Sequence, residues 1–250
     1  MRKFCLALSF LTVIPCSPRP PIERGELAAA AAYFPLVGAV LGLLLGGVAY
    51  LLYPLVTPGP LAVMIFVAAF FLTRGLHLDG LADTADGLIG AMDREKALKI
   101  MRDSVVGPMG VCALLFVYLF KYAALLAINA PFFPLAVFSL PFCGRWAMVL
   151  AGAAFAPARP EGLGNRFIGE LGWRHFLYAS LLGAAVIAAL ACFYSNFIPP
   201  MLCGIAVAII FSLLLSSYAA GRLGGLTGDI LGAVNEIAEA GFLLGVIIWS

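Results

Sequence analysis

The sequence predicts an all-α protein: a polytopic membrane helix bundle of about seven transmembrane helices plus a short N-terminal re-entrant or interfacial helix. Three observations predict it. Hydrophobic residues make up 63% of the chain and charged residues 11%, with a mean hydropathy of +1.06, far from the composition of soluble domains. Two tracts, 27–73 and 175–221, run 47 residues each without Asp, Glu, Lys or Arg. A span takes about 20 apolar residues, so each tract holds two. Basic residues collect at alternate connections, the asymmetry that sets topology. The formal net charge of +2 is too small for a nucleic-acid partner. The whole chain, 1–250, reads as one integral-membrane domain.

Met1-Arg2-Lys3 and the apolar run Phe4–Ile14 look like a signal peptide, but Pro15 stands where a small-residue cleavage site belongs. A re-entrant or interfacial helix is the expectation. A Pro-rich charged link, Ser17–Glu26, follows. The first span covers about Leu27–Tyr53, and Pro54, Pro58, Gly59 and Pro60 mark a turn. The second starts near Leu61 and runs into an aspartate-rich stretch. The loop Arg94–Gly107 leads to a third span, about Met109–Asn129, and Ala130–Pro134 turns into a fourth reaching about Phe155. After the polar link Ala156–Arg174 comes a second hairpin, turning at Ser195–Pro200. Arg222–Asp229 is Gly-rich, and Ile230–Trp249 is the last span. Connections on one side carry 4, 5, 3 and 1 basic residues and the opposite turns none, which places the N-terminus and the polar motifs in the cytoplasm. Six cysteines form no short-spaced pair, so neither a zinc site nor a disulfide framework is expected.

The stretch Asp79-Gly80-Leu81-Ala82-Asp83-Thr84-Ala85-Asp86-Gly87 concentrates three of the 13 acidic residues. On a helix, offsets of four and seven put Asp79, Asp83 and Asp86 on one face, within an arc of roughly 60°. Carboxylates this close repel unless a cation lies between them. Oxygen ligands without Cys suit Mg²⁺ when phosphates are present. A solvated acidic face is the alternative.

A second acidic group is Thr227-Gly228-Asp229 with Asn235-Glu236 and Glu239. Asp229 and Glu236 share a helix face, as part of a metal and substrate site or as members of intramembrane ion pairs. Lys121 and Arg145 fall roughly 18 Å into spans and need partners. Glu239 is the deepest acid and suits Lys121, while Arg145 suits an acid or a buried phosphate. In the loop Met101–Gly110, Arg102 fits a phosphate clamp, and Asp103 and Ser104 fit either the site or a helix cap. His77 fits a phosphate contact or a proton shuttle. No GxSxG, Walker A, GxGxxG or HExxH pattern occurs.

The string Leu76-His77-Leu78-Asp79-Gly80-Leu81-Ala82-Asp83-Thr84-Ala85-Asp86-Gly87-Leu88 resembles the hallmark of the cobalamin (5′-phosphate) synthase family, the adenosylcobinamide-GDP ribazoletransferases. Ala7–Pro15, the Met101-Arg102-Asp103-Ser104 to Met109-Gly110 loop, and Gly225-Leu226-Thr227-Gly228-Asp229 to Asn235-Glu236 agree, and Val13 replaces an Arg found in many relatives. The resemblance implies an inner-membrane, Mg²⁺-dependent enzyme whose active site faces the cytoplasm. In it, α-ribazole or its 5′-phosphate displaces GMP from adenosylcobinamide-GDP in vitamin B12 assembly. It implies Mg²⁺ ligands at Asp79, Asp83 and Asp86, and catalytic roles among His77, Asp103, Asp229 and Glu236. Substrate contacts are expected at Arg102, Ser104, Arg145, Arg222 and Asn235. Self-association, or association with other cobalamin-pathway enzymes, is the partner expectation. The rivals are a CDP-alcohol phosphotransferase-like enzyme, whose pattern wants Arg where Asp83 stands, and a cation-coupled transporter.

Overall fold

Prolines set where most of the long helices begin. In the computed structural model a proline occupies the first or second position of α3 (Phe34–Leu52), α4 (Pro58–Thr73), α7 (Pro108–Ala127), α8 (Phe133–Ala154) and α11 (Ile198–Leu223). Proline is tolerated there because the first helical amides have no partner within the helix. The structure describes residues 1–16, 25–103, 105–159 and 163–249, and the side chains of 163–166 lie outside that description. The other helices are α1 (Arg2–Leu11), α2 (Glu26–Ala31), α5 (Leu76–Gly90), α6 (Arg94–Ile100), α9 (Leu163–Glu170), α10 (Trp173–Phe193) and α12 (Gly228–Trp249).

Six helical segments are long and apolar enough to cross a membrane, up to seven if the bent pair α4–α5 counts as one span. The central pair is α8 and α12, 94% and 83% buried along their spanning windows, while α10 is 11% buried and faces outward. Without a hydrophobic drive between helices in lipid, close packing needs small residues. Gly38, Gly42 and Gly46 supply them on α3: a Cβ at each would run into the backbone of Pro141, Phe138 and Pro134 on α8. Gly204 and Gly245 do the same between α11 and α12, where a Cβ on Gly245 would lie 2.6 Å from the Cys203 carbonyl oxygen.

Three expectations are corrected. The first span is not continuous from Leu27. It splits into α2 and α3 at Tyr33, because Pro35 cannot donate a helical hydrogen bond. The second span does not run on into the aspartates. Arg74 and Gly75 both adopt left-handed backbone (φ 55° and 65°), and α5 turns 93° away from α4. The α5 helix therefore lies across one end of the bundle. Cys5 and Cys16 are bridged, with Cα atoms 4.9 Å apart. The chain after α1 doubles back, the Cys16 amide donating to Ser9 Oγ, and an 11-residue separation escapes short-spacing patterns. The N-terminal helix itself is present and docks through buried Leu6, Ala7, Leu8 and Leu11. The Val13 amide donates to the Leu72 carbonyl at 2.8 Å and pins this segment to the end of α4.

Replacing Gly42 by Leu should separate α3 from α8. Overpacking of this kind costs about 1–3 kcal/mol, so the thermal midpoint in detergent should fall by several degrees, and an unchanged midpoint would refute the contact.

Candidate active site

The site is built on the crossing of α5 and α12. Gly80 and Gly232 meet there: a Cβ on Gly80 would lie 2.6 Å from the Asp229 carbonyl oxygen and 3.1 Å from Gly232 Cα. Only glycine allows this approach, and it brings Asp79 and Asp83 of α5 beside Asp229 at the start of α12. Thr227 Oγ1 donates to Asp229 Oδ2 at 3.2 Å and accepts from the Ile230 amide at 3.3 Å, capping α12 while steadying the carboxylate.

A second contact adds a cation. Leu226 exchanges backbone hydrogen bonds with Ala156 and Ala158 at 2.9 and 2.8 Å. Gly225 (φ 155°) makes room, since a Cβ there would lie 2.5 Å from the Ala156 carbonyl oxygen. This bridge carries Arg159 to Asp229. Burial and the neighbouring Arg102 disfavour the Arg159 charge, and Asp229 favours it. Its Nε and Nη1 are buried and have no hydrogen-bond partner among the described residues. Arg159 is the residue the sequence reading missed; no local pattern marks it, and only Gly225 hints at the close approach that places it.

Asp79 and Asp83 have no hydrogen-bond or ion-pair partner among the described side chains. Asp83 lies on the transverse α5, outside the crossing helices. Partial burial, then Asp79, Asp229 and Asp86 in turn, push its carboxyl up to about 7. No three described His, Cys, Asp or Glu side chains converge into a closed metal cage. Hard oxygen donors in mutual repulsion nevertheless fit a Mg²⁺ ion that keeps water and phosphate as its other ligands. Beside them opens a cavity of about 560 Å³ between the end of α1, the α4–α5 bend and the start of α7, lined by Phe10, Phe70, Arg74, Asp79 and Leu114 among others.

The remaining expected site residues fall into other roles or places. The Asp86 carboxylate accepts from the amides of Gly107 (2.7 Å) and Gly110 (2.9 Å), holding the start of α7 against α5. Arg222 Nη2 donates to the carbonyls of Ala91 (2.7 Å) and Met92 (3.4 Å), tying the end of α11 to the end of α5. Asp103 is exposed and accepts from the Val105 amide. Arg102 is exposed on the same loop, and Ser104 lies outside the described residues.

His77, Arg145, Asn235 and Glu236 gather deeper in the bundle. Lys121 Nζ binds Glu236 Oε2 at 2.6 Å and Glu239 Oε2 at 2.7 Å. Arg145 Nη1 binds Glu239 Oε1 at 2.9 Å and Nη2 lies 3.3 Å from His77 Nδ1. Asn235 Nδ2 donates to both glutamates at 3.1 Å. Two cations and two anions thus cancel in the interior, and the expected Lys121–Glu239 pair is present.

The chain matches the family model described as cobalamin-5-phosphate synthase over residues 3–247. The adenosylcobinamide-GDP ribazoletransferase of Syntrophobacter fumaroxidans is 40% identical over 247 residues, covering 94% of both chains. Those of Desulfitobacterium hafniense (36%, covering 98% of this chain and 96% of the relative) and Thermoanaerobacter sp. strain X514 (36%, 96% and 94%) are similar along nearly their whole length. No solved structure matches.

Two outcomes follow from this electrostatics. Asp83 holds its proton more tightly folded (about 7) than unfolded (3.8). Its contribution to stability is therefore full below pH 3.8 and is lost as the pH rises through 7. Metal-free Asp83→Asn protein should be more thermostable than wild type at pH 8 and equal to it near pH 4. Lys121→Met strands the buried Glu236, leaves Glu239 with Arg145 alone, and should cost about 3–5 kcal/mol; wild-type-like unfolding in denaturant would refute the network.

Proposed function

This chain belongs to the cobalamin-5-phosphate synthase family, and we propose that its reaction takes place in the groove between Asp79 and Asp83 on α5 and Asp229 on α12. Its activity is adenosylcobinamide-GDP ribazole transfer in cobalamin biosynthesis, performed by a multi-pass membrane enzyme. A ribose hydroxyl oxygen of the ribazole bonds to the cobinamide-linked phosphorus, the P–O bond to GMP breaks, and the hydroxyl proton departs. Such chemistry is mostly positioning and charge neutralisation.

The observation that carries this reading is the contrast in charge. The deep acids are paired, while Asp79, on the wall of a 560 Å³ cavity, and Asp83, one turn further along α5, have no partner among the described residues. In this proposal Asp79 and Asp83 would hold Mg²⁺, which when bound would supply charge neutralisation for the diphosphate. Arg159 and Arg102 hold phosphate oxygens; the buried, unpartnered Nε and Nη1 of Arg159 support that role. Asp229, steadied by Thr227, accepts the hydroxyl proton. His77, Arg145, Asn235 and Glu236 act one layer behind, fixing α5 against α12. The basic-residue asymmetry supports a groove open to the cytoplasm.

Purified protein in liposomes, given adenosylcobinamide-GDP and α-ribazole, should release GMP and form cobalamin with Mg²⁺ and not with EDTA. Asp83→Asn and Arg159→Ala should each lower turnover by about 100-fold or more, with the fold intact by thermal unfolding. Full turnover by Asp83→Asn would overturn the assignment of this groove.

A further inference from the structure

Arg74 is the one described non-glycine residue with positive φ, at 55°. It stands where a helix normally ends in Gly or Asn, because a Cβ in left-handed backbone is strained. The adjacent Gly75 already supplies a left-handed position with no such strain, at φ 65°. The bend alone therefore does not call for arginine. Backbone strain that persists at a cleft points to a use for the side chain.

The surroundings of Arg74 say what that use is. Its side chain is exposed, lines the 560 Å³ cavity, and has no hydrogen-bond or ion-pair partner among the described residues. Five positions on, across the same cavity, is Asp79. The remaining walls combine Phe10 from α1, Phe70 from α4 and Leu114 from α7 with the polar Thr12 and Thr73. Phe70 packs over the bend itself, since a Cβ on Gly75 would lie 2.8 Å from its ring. A cavity of this size suits a drug-sized ligand, within the usual range of about 300–1,000 Å³. It is too small to enclose a corrin macrocycle with its nucleotide. It fits a molecule with a flat aromatic base, a ribose and an anionic end, which describes the whole of the acceptor but only the guanosine end of the donor. The family is described by a product that retains a 5-phosphate, so its acceptor carries a phosphate that the protein must bind.

We propose that the cavity between α1, α4, α5 and α7 is the acceptor subsite, and that Arg74 binds the 5′-phosphate of α-ribazole 5′-phosphate. The aromatic base lies against Phe10 and Phe70, and the ribose points along α5 toward Asp79 and Asp83. The inference rests on the groove assignment above. It makes Arg74 a specificity-determining residue: the guanidinium forms a charge-assisted pair with the acceptor phosphate, a contact that unphosphorylated α-ribazole lacks.

The test compares the two acceptors in the liposome assay with saturating adenosylcobinamide-GDP and Mg²⁺. Wild type should show a KM at least tenfold lower for α-ribazole 5′-phosphate than for α-ribazole. Arg74→Gly, which removes the guanidinium and also relieves the backbone, should bring the two KM values within about twofold of each other, and Arg74→Lys should restore part of the difference. Equal KM values in wild type would overturn the proposal. So would an equal loss with both acceptors in Arg74→Gly, which would assign the residue to the donor. Asp83→Asn assayed alongside separates the two readings. Full activity there defeats the groove, whereas an inactive Asp83→Asn with an unchanged acceptor ratio in Arg74→Gly defeats only the acceptor subsite.

Discussion

Two cations and two carboxylates in the interior of an apolar bundle constrain everything around them. Lys121 comes from α7, Arg145 from α8, and Glu236 and Glu239 from α12. An unpaired charge at that depth is far more costly than one at the surface. The three helices must therefore keep one relative rotation and depth, and His77 extends the same restraint to α5 through Arg145. Once α12 and α5 are fixed, the Gly80–Gly232 contact follows, and so does the meeting of their aspartates. The network touches no surface of the open cavity's acidic edge, yet it determines where that edge stands.

The helices that cross the bilayer were legible because hydropathy and proline report on them directly. Uncharged tracts, N-terminal prolines and the depth of Lys121 each carry a local physical meaning. The transverse course of α5 was not legible. It depends on two successive left-handed residues, one of them an arginine, and nothing in the Arg74 side chain announces that backbone. The Cys5–Cys16 bridge was hidden for a related reason, since it depends on a chain reversal after α1.

The acidic residues show the same limit more sharply. Helical spacing correctly placed Asp79, Asp83 and Asp86 along α5, but it treats three residues of one face as having one role. The structure separates them by what lies opposite. Asp86 faces the free amides at the start of α7, where Gly107 and Gly110 leave its oxygens room. Asp79 lines the cavity, and Asp83, one turn on, lies near Asp79 and Asp229. Likewise, Arg222 looked like a substrate contact by its position near Asp229, and its guanidinium instead ties together two helix ends. Arg159 had no pattern at all, because a single backbone bridge to Leu226 brings it in.

Partnership therefore distinguishes the acids of this protein better than depth or spacing does. A carboxylate paired with a cation within the protein, as Glu236 and Glu239 are, has its charge met, whereas Asp86 is held by two backbone amides without a counter-charge. A carboxylate whose demand is unmet, as at Asp79 and Asp83, raises the free energy of the empty enzyme and lowers it again when a cation and phosphate arrive. The same criterion applies to the arginines. Arg94 and Arg145 are engaged with carbonyl or carboxylate oxygens, Arg145 leaving only its Nε free, while Arg159 and Arg74 have no carboxylate partner among the described residues. Asp79, Asp83, Arg74 and Arg159, each left without a counter-charge among the described residues, lie around α5, whereas in the deep core each charged side chain has an ion-pair partner and only single atoms such as Arg145 Nε and His77 Nε2 lack a hydrogen bond. Substrate phosphates complete the charge balance around α5, so binding energy is available at the place where phosphorus changes partners.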